Sequence, residues 1–229
     1  AFEQVDYLSV HNYIGNYDGD SENYLAKPII TNRYFEDIAA TIAYIKRKHK
    51  SDHNVFVSFD EFNTWHSIIQ EERFEKRWRI APPLLEDTYT AEDALALGGM
   101  LLAVLRHSNI VKIACVSELV NCISHIRTRN NGGCWVLPPY YSFLHYCMYG
   151  RGTSLETKVI SDTYNSKDFL NVPYLDAQAV MGEGETINIF AINRSLDEEL
   201  KLEVELRGFE DYRVEKYIVL TADDTKATN

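Results

Sequence analysis

The sequence is poor in chain breakers, with 6 prolines and 11 glycines in 229 residues, so it has neither the make-up of a disordered linker nor that of a low-complexity chain. No run of about 18 apolar residues occurs, and the opening Ala1 to Asp6 has neither a basic nor an apolar stretch, so no membrane span and no signal peptide are expected. Positive charge is scarce. Lys and Arg number 23 against 34 Asp and Glu, a formal charge of -11 that repels a phosphate backbone and excludes nucleic acid as a partner. Cys115, Cys122, Cys134 and Cys147 form no C-x-x-C pair and have no histidine at zinc-finger spacing, so neither a disulfide framework nor a metal site is expected, and the thiols read as reduced core residues. H-E-x-x-H, G-x-S-x-G and a phosphate-binding glycine loop are all missing, which removes the metalloprotease, serine hydrolase and nucleotide-dependent classes.

What the sequence does have is a globular balance, 45% hydrophobic and 25% charged, and a generous aromatic content that includes 15 tyrosines, the polar-edged surface on which sugar rings stack. Val5 to Tyr13 alternates as a strand with Val5, Tyr7, Ser9, His11 and Tyr13 on one face. A loop rich in Gly, Asn and Asp follows, from Gly15 to Asn23. Thr31 is placed to cap a helix carrying Phe35, Ile38, Ile42 and Ile45 and ending in Lys46-Arg47-Lys48, which suits the negative end of the helix dipole.

Val55 to Phe59 is a short apolar run suited to a covered parallel strand. The charged stretch Glu71 to Arg79 reads as a solvated face and Pro82-Pro83 as a break. Thr90 with Asp93 then opens a helix carrying Leu95, Leu101, Leu102 and Leu105. A third strand is expected from Ile110 to Val116 and a helix from Tyr140 to Tyr149. Three strand and helix units in succession predict a parallel α/β arrangement over residues 1–152. Beyond Gly152 the period changes to two, in Ile187 to Ile192, Lys201 to Leu206 and Tyr212 to Leu220, and this predicts an antiparallel β-sandwich, or part of one, over residues 153–229.

The chemistry concentrates in VFVSFDEFNTW. On strict alternation Val55, Val57, Phe59 and Glu61 share a face, so a barrel interior at the first three places Glu61 inward at the carboxyl end, where such folds keep their catalytic groups. His11 and Tyr13 end the preceding strand on one face, and either can hydrogen-bond a carboxylate there. Trp65 falls in the loop above. The plainer alternatives stand beside these readings: Asp60-Glu61 as a solvated strand end, His11 as a structural histidine and Trp65 as a loop anchor.

Taken together, SVHNY, FDEFNTW, Ala81 to Asp87 with Glu92 to Leu95, Val111 to Cys115 with Leu119 to Asn121, and Tyr149-Gly150-Arg151-Gly152 closely resemble the α-L-arabinofuranosidases of glycoside hydrolase family 51, along almost the whole chain. The resemblance implies a retaining exo-glycosidase made of a (β/α)8 TIM barrel followed by an antiparallel β-sandwich. It implies Glu61 as nucleophile, supported by His11 and Tyr13, with Trp65, Asn63 and Glu118 at the sugar site. Relatives usually carry Gln where Glu118 stands, and pairing of Glu118 with Lys112 or Arg127 is the plain alternative.

The expected substrate is an arabinofuranosyl end of an arabinan or arabinoxylan oligosaccharide, with no metal or organic cofactor, a cytoplasmic location and homo-oligomer formation. No segment resembles the family's acid/base motif, so the chain is expected to be a C-terminal portion of about three βα units and a truncated sandwich. It is expected to be inactive without the N-terminal part with which it associates. A non-catalytic sugar-binding or assembly fragment is the alternative from another class, and a β-xylosidase the alternative within the barrel glycosidases.

Overall fold

The computed structural model describes residues 2–66, 78, 80, 85–209 and 211–228. The charged stretch after Glu71, apart from Trp78, and Pro82-Pro83 lie outside them. The first strand, β1 (Tyr7–Ile14), sorts its side chains by parity: Val10 and Ile14 enter the main apolar core, while Ser9, His11 and Tyr13 take the opposite face. Strands β2 (Phe56–Thr64) and β3 (Val111–Val116) continue a parallel sheet in the order β1-β2-β3. Helices α2 (Pro28–His49) and α3 (Ala91–Arg106) cover one side of it, with Phe35 and Ile38 of α2 and Leu97 and Met100 of α3 packed in one cluster with Val57, Phe59 and Phe62.

That packing corrects the expected orientation of β2. Val57 and Phe59 face the helices, and they do not share a face with Glu61. Ser9 pairs with Ser58 but His11 pairs with Glu61, so an extra β2 residue is accommodated between them in a bulge-type irregularity. The extra residue turns Asp60 and Glu61 together towards Ser9, His11 and Tyr13, and returns Phe62 to the core, stacked on Phe59 at 4.4 Å between ring centroids. Strict period-two counting fails at this point because it assumes an uninterrupted ladder.

The helix expected to start at Thr31 starts one turn earlier, at Pro28, whose missing N–H costs nothing in the first turn. Thr31 is instead fully buried and donates to Asn12 Oδ1 at 2.8 Å, which ties α2 to β1. A short helix, α1 (Ser21–Ala26), capped by Asp20, occupies the end of the expected loop. The capping box of Thr90 and Asp93 opens α3 as the spacing predicts. At Gly99 a Cβ would come within 2.7 Å of the Pro28 ring, so glycine is what lets α3 and the start of α2 touch. Before the last helix, α4 (Pro138–Tyr149), the chain makes a hairpin of β4 (Ile126–Thr128) and β5 (Cys134–Val136), an insertion the simple strand and helix alternation did not foresee.

The cysteines are also a correction. None is buried: Cys115, Cys134 and Cys147 are exposed and Cys122 is half-buried. Position decides this over residue preference, since Cys115 lies on β3, Cys134 in the hairpin and Cys147 on α4, each turned away from the core.

Past Gly152 lies an antiparallel sheet, β10-β9-β6, formed by β6 (Thr153–Ser154), β9 (Leu175–Met181) and β10 (Ile187–Asn193), with a separate pair, β7 (Thr163–Tyr164) and β8 (Val172–Pro173). Residues 201–206 and 212–220 are not strands, contrary to expectation. They run along a crevice lined by α4 and β10, and alternation supplies a strand's side-chain pattern without supplying a backbone partner for its N–H and C=O groups. The second sheet is fastened to the first part by Arg194, almost fully buried, which donates to the Leu25 and Pro173 carbonyls and to Asp176 at 2.5 Å.

Gly152 makes the transition at φ 136°, where a Cβ would lie 1.9 Å from the Met181 carbonyl oxygen. Gly152→Ala is therefore expected to destabilise the fold by roughly 2–3 kcal/mol, read as a lower urea midpoint with unchanged slope; an unmoved midpoint would show that the turn relaxes. Among the described residues no cluster of His, Cys, Asp and Glu is arranged to hold a metal, and no helix is long and apolar enough to cross a membrane.

Candidate active site

Parallel pairing sets the carboxyl ends of β1 and β2 side by side, with His11 opposite Glu61 and Tyr13 opposite Asn63. Parity on β1 and the irregularity on β2 then gather five polar side chains on one face. The Tyr13 hydroxyl donates to Glu61 Oε1 at 2.5 Å, and His11 Nδ1 lies 3.1 Å from Glu61 Oε2, so each oxygen of the carboxylate has its own neighbour from β1. The other His11 nitrogen, Nε2, lies 3.3 Å from Asp60 Oδ1, which also accepts from Ser9 Oγ at 2.9 Å. The group remains open on one side, with the Glu61 side chain 40% exposed and that of His11 50%.

Burial, together with the hydrogen bond to Glu61, pushes the Tyr13 phenol well above the usual tyrosine range, so Tyr13 is a neutral donor at any working pH. The Ser117 hydroxyl lies 2.7 Å from the phenol oxygen. With the Tyr13 proton committed to Glu61, Ser117 is the group able to donate across that contact. Glu118 follows at the exposed end of β3, and its negative charge reaches Tyr13. It does not pair with the expected cations: Arg127 is engaged by the Asn121 and Asp87 carbonyls and Lys112 by the Ser108 carbonyl.

Trp65 leaves β2 with its backbone N–H on the Ile14 carbonyl at 2.8 Å and its ring edge-on to Tyr13 at 5.5 Å. Its indole N–H is buried without a hydrogen-bond partner among the described residues, leaving a donor beside the Glu61 group. Asn63, by contrast, is not at the open face. It is fully buried, donating to the Ser117 and Ile123 carbonyls at 2.5 and 2.7 Å and accepting from Thr64 N and from His125 Nε2, so its hydrogen-bonding capacity is spent inside the protein. Its expected place on the open face is corrected to one beneath it, where it holds the loop carrying Ser117 and Glu118. Burial pulls the His125 ring down to about 4, so it is the neutral form that donates to Asn63.

A second polar cluster fixes the loop behind Trp65. His66 Nε2 lies 2.7 Å from Asp93 Oδ1, the His66 backbone N–H donates to Asp87 Oδ2 at 2.6 Å, and the Tyr24 hydroxyl donates to Asp93 Oδ1 at 2.6 Å. Burial opposes charge on both members of the His66–Asp93 pair, yet their mutual attraction prevails, raising the His66 pKa and lowering that of Asp93. The same burial, with less compensation, raises the Asp87 carboxyl.

Residues 60–229, from Asp60 onward, match the model of the α-L-arabinofuranosidase C-terminal domain. The chain belongs to this family. Over its whole length it is 43% identical to an intracellular exo-α-(1→5)-L-arabinofuranosidase of Halalkalibacterium halodurans and 42% identical to intracellular exo-α-(1→5)-L-arabinofuranosidase 1 of Bacillus subtilis, covering 46% of each. It thus spans less than half the length of these curated relatives. Its fold superposes over all its residues on a family 51 α-L-arabinofuranosidase from Bifidobacterium longum, with a TM-score of 0.86 at 24% identity and 46% of that chain covered. It also matches the arabinose complex of the α-L-arabinofuranosidase from Thermotoga maritima, with a TM-score of 0.67 at 25% identity over 84% of this chain and 39% of that one.

Within this arabinofuranosidase fold, sequence reasoning singled out His11, Tyr13, Glu61, Trp65 and Glu118, which the structure brings together, and missed Ser9, Asp60, Ser117, His66 and Asp93. Asp60 had a visible signal, adjacency to Glu61, but only the irregularity in β2 sets both carboxylates on one face. His66 and Asp93 lie far apart in the chain, and no spacing rule joins them.

Proposed function

We propose that the chain carries the nucleophile half of a retaining exo-α-L-arabinofuranosidase, which releases terminal α-L-arabinofuranosyl residues from arabinan or arabinoxylan oligosaccharides. The observation that carries this reading is Glu61 at the carboxyl end of the central parallel strand, with Tyr13 donating to one oxygen and His11 beside the other, on a face left open. Family membership and the names of the relatives support it. The three parallel strands with helices on one side are the last three βα units of a (β/α)8 barrel over residues 1–152, and residues 153–229 are part of the β-sandwich that follows.

Glu61 attacks the anomeric carbon while a second carboxylic acid, on a preceding segment of the complete protein, protonates the departing oxygen; that group then activates the water that hydrolyses the glycosyl ester. The two carboxyl groups of such a pair stand about 5–5.5 Å apart. Tyr13 and His11 hold the plane of the attacking carboxylate, Trp65 offers an aromatic surface to the sugar, and Glu118 accepts from sugar hydroxyls. The protein works without cofactor or nucleic acid, in the cytoplasm and as a homo-oligomer, consistent with the relatives named as intracellular.

Proton NMR of the first arabinose released by the full-length protein tests the reading: retention gives the α-anomer first. An initial β-anomer, or no release from arabinofuranosides, overturns it. Glu118→Ala is expected to lower kcat/KM by about tenfold to a hundredfold, since hydrogen bonds to a charged acceptor contribute roughly 1.5–3 kcal/mol. Glu118→Gln, which keeps an acceptor, should stay much nearer the parent. Equal kcat/KM for the alanine variant and the parent would remove Glu118 from the sugar contacts.

A further inference from the structure

The His11 ring stands between two carboxylates of the same strand: Nδ1 is 3.1 Å from Glu61 Oε2 and Nε2 is 3.3 Å from Asp60 Oδ1. A neutral imidazole carries a proton on one nitrogen only, and its other nitrogen offers a lone pair. Beside a carboxylate oxygen that lone pair is repelled, so a carboxylate favours a donor on the nitrogen that faces it, and each end of the ring has an acceptor to hold it. Asp60 is itself held by Ser9 Oγ at 2.9 Å, one step earlier on the open face of β1. The irregularity between Ser58 and Glu61 is what permits this arrangement, because an unbroken strand would send one of the two acids to the helices.

We propose that Asp60 is a positioning residue for Glu61: it anchors the far end of the His11 ring, so that Nδ1 is held against Oε2 of the nucleophile. This deepens the retaining-glycosidase reading and rests on it. The groups around the ring are few. Asp60 and Glu61 face it from β2, Tyr13 shares Glu61 from β1, and Glu118 lies beyond Tyr13 at the end of β3. Among the described residues no lysine or arginine pairs with Asp60, Glu61 or Glu118. Among the described residues the ring itself is therefore the group that stands between these negative charges.

Asp60→Asn in the full-length protein retains the shape and the acceptor for Ser9 while removing the charge. The expected result with a nitrophenyl α-L-arabinofuranoside is kcat lower by about tenfold with KM within about twofold, since an oriented nucleophile matters in the transition state more than in the bound complex. Asp60→Glu should restore part of the loss. Nitrogen NMR of histidine-labelled protein reads the ring directly: the His11 nitrogen signals are expected to move in the Asn variant, where the ring loses its charged anchor.

A merely structural Asp60 would leave kcat unchanged, or change kcat and KM together, with the His11 nitrogen signals unmoved, and that outcome overturns the proposal. If the Asn variant fails to fold, Asp60→Glu still decides, because the longer acid displaces the anchor of the ring, and a lowered kcat with unmoved His11 nitrogen signals defeats the idea. Absence of arabinofuranosidase activity in the parent would sink the functional reading alone, leaving the nitrogen measurement to judge Asp60.

Discussion

Glu61→Ala in the full-length protein is expected to lower kcat on aryl α-L-arabinofuranosides by about four orders of magnitude or more, the scale on which loss of a covalent nucleophile is felt. Among the described residues on this face, the carboxylate is the one group with both oxygens addressed by partners from the neighbouring strand, Tyr13 at 2.5 Å and His11 at 3.1 Å, and alanine leaves both without the group they orient. Stability should change little, because the Glu61 side chain is 40% exposed and outside the apolar cluster. Azide is expected to return part of the rate. The anion fits the space vacated by the carboxylate, attacks the anomeric carbon from the same side, and the aryl oxygen leaves with the proton of the acid, so the product is an arabinofuranosyl azide of inverted configuration. Steady-state kinetics and NMR of that product check both statements. Activity within tenfold of the parent would move the nucleophile elsewhere.

The largest effect on stability is expected at Asp93, a carboxylate only 1% exposed that accepts from Tyr24, Thr90 and His66. Asp93→Ala should cost about 3–5 kcal/mol, since it strands a buried partner charge and also removes half of a capping box. The pH dependence has a definite sign. His66 has a raised pKa, so its share of the stability is complete below its ordinary value of 6.5 and fades as pH rises through the raised value. Asp93 has a lowered pKa, so its share is complete above 3.8 and fades as pH falls through the lowered value.

The pair therefore contributes most between pH 3.8 and 6.5, and the stability difference between the parent and His66→Gln should be larger near pH 5 than near pH 9 in urea titrations. A difference that does not vary with pH would mean that the contact is an uncharged hydrogen bond. Because His66 directly follows Trp65, loosening the pair should also blur the position of the indole against Tyr13, and kcat/KM should fall with the stability.

Local signals carried much of this far. The capping box at Thr90 and Asp93, the basic end of α2, and the shared face of Ser9, His11 and Tyr13 each depend on residues within one turn or a few strand positions. Such features are set by backbone periodicity and orphaned N–H groups, which the sequence expresses directly. The order of three parallel strands and their helices was legible for the same reason, as was the cluster of Glu61 with the end of β1, since adjacent parallel strands present their carboxyl ends together.

Other features required partners distant in the chain. Alternation in 201–206 and 212–220 spelled strands, but pairing needs a neighbour's backbone, and the described residues place none there. Asn63 looked like one more polar residue near Glu61. The carbonyls of Ser117 and Ile123, brought beneath it from the loop after β3, absorb its amide and bury it. The amino-acid sequence by itself determined the order of the three parallel strands and their covering helices and the strand end at which Glu61 would stand. The tertiary structure alone decided which neighbours each polar group meets, because one extra residue accommodated in β2 brings Glu61 round to the side that Asp60 already faces, and such an irregularity depends on the pairing of β2 with β1 rather than on the residues that form it.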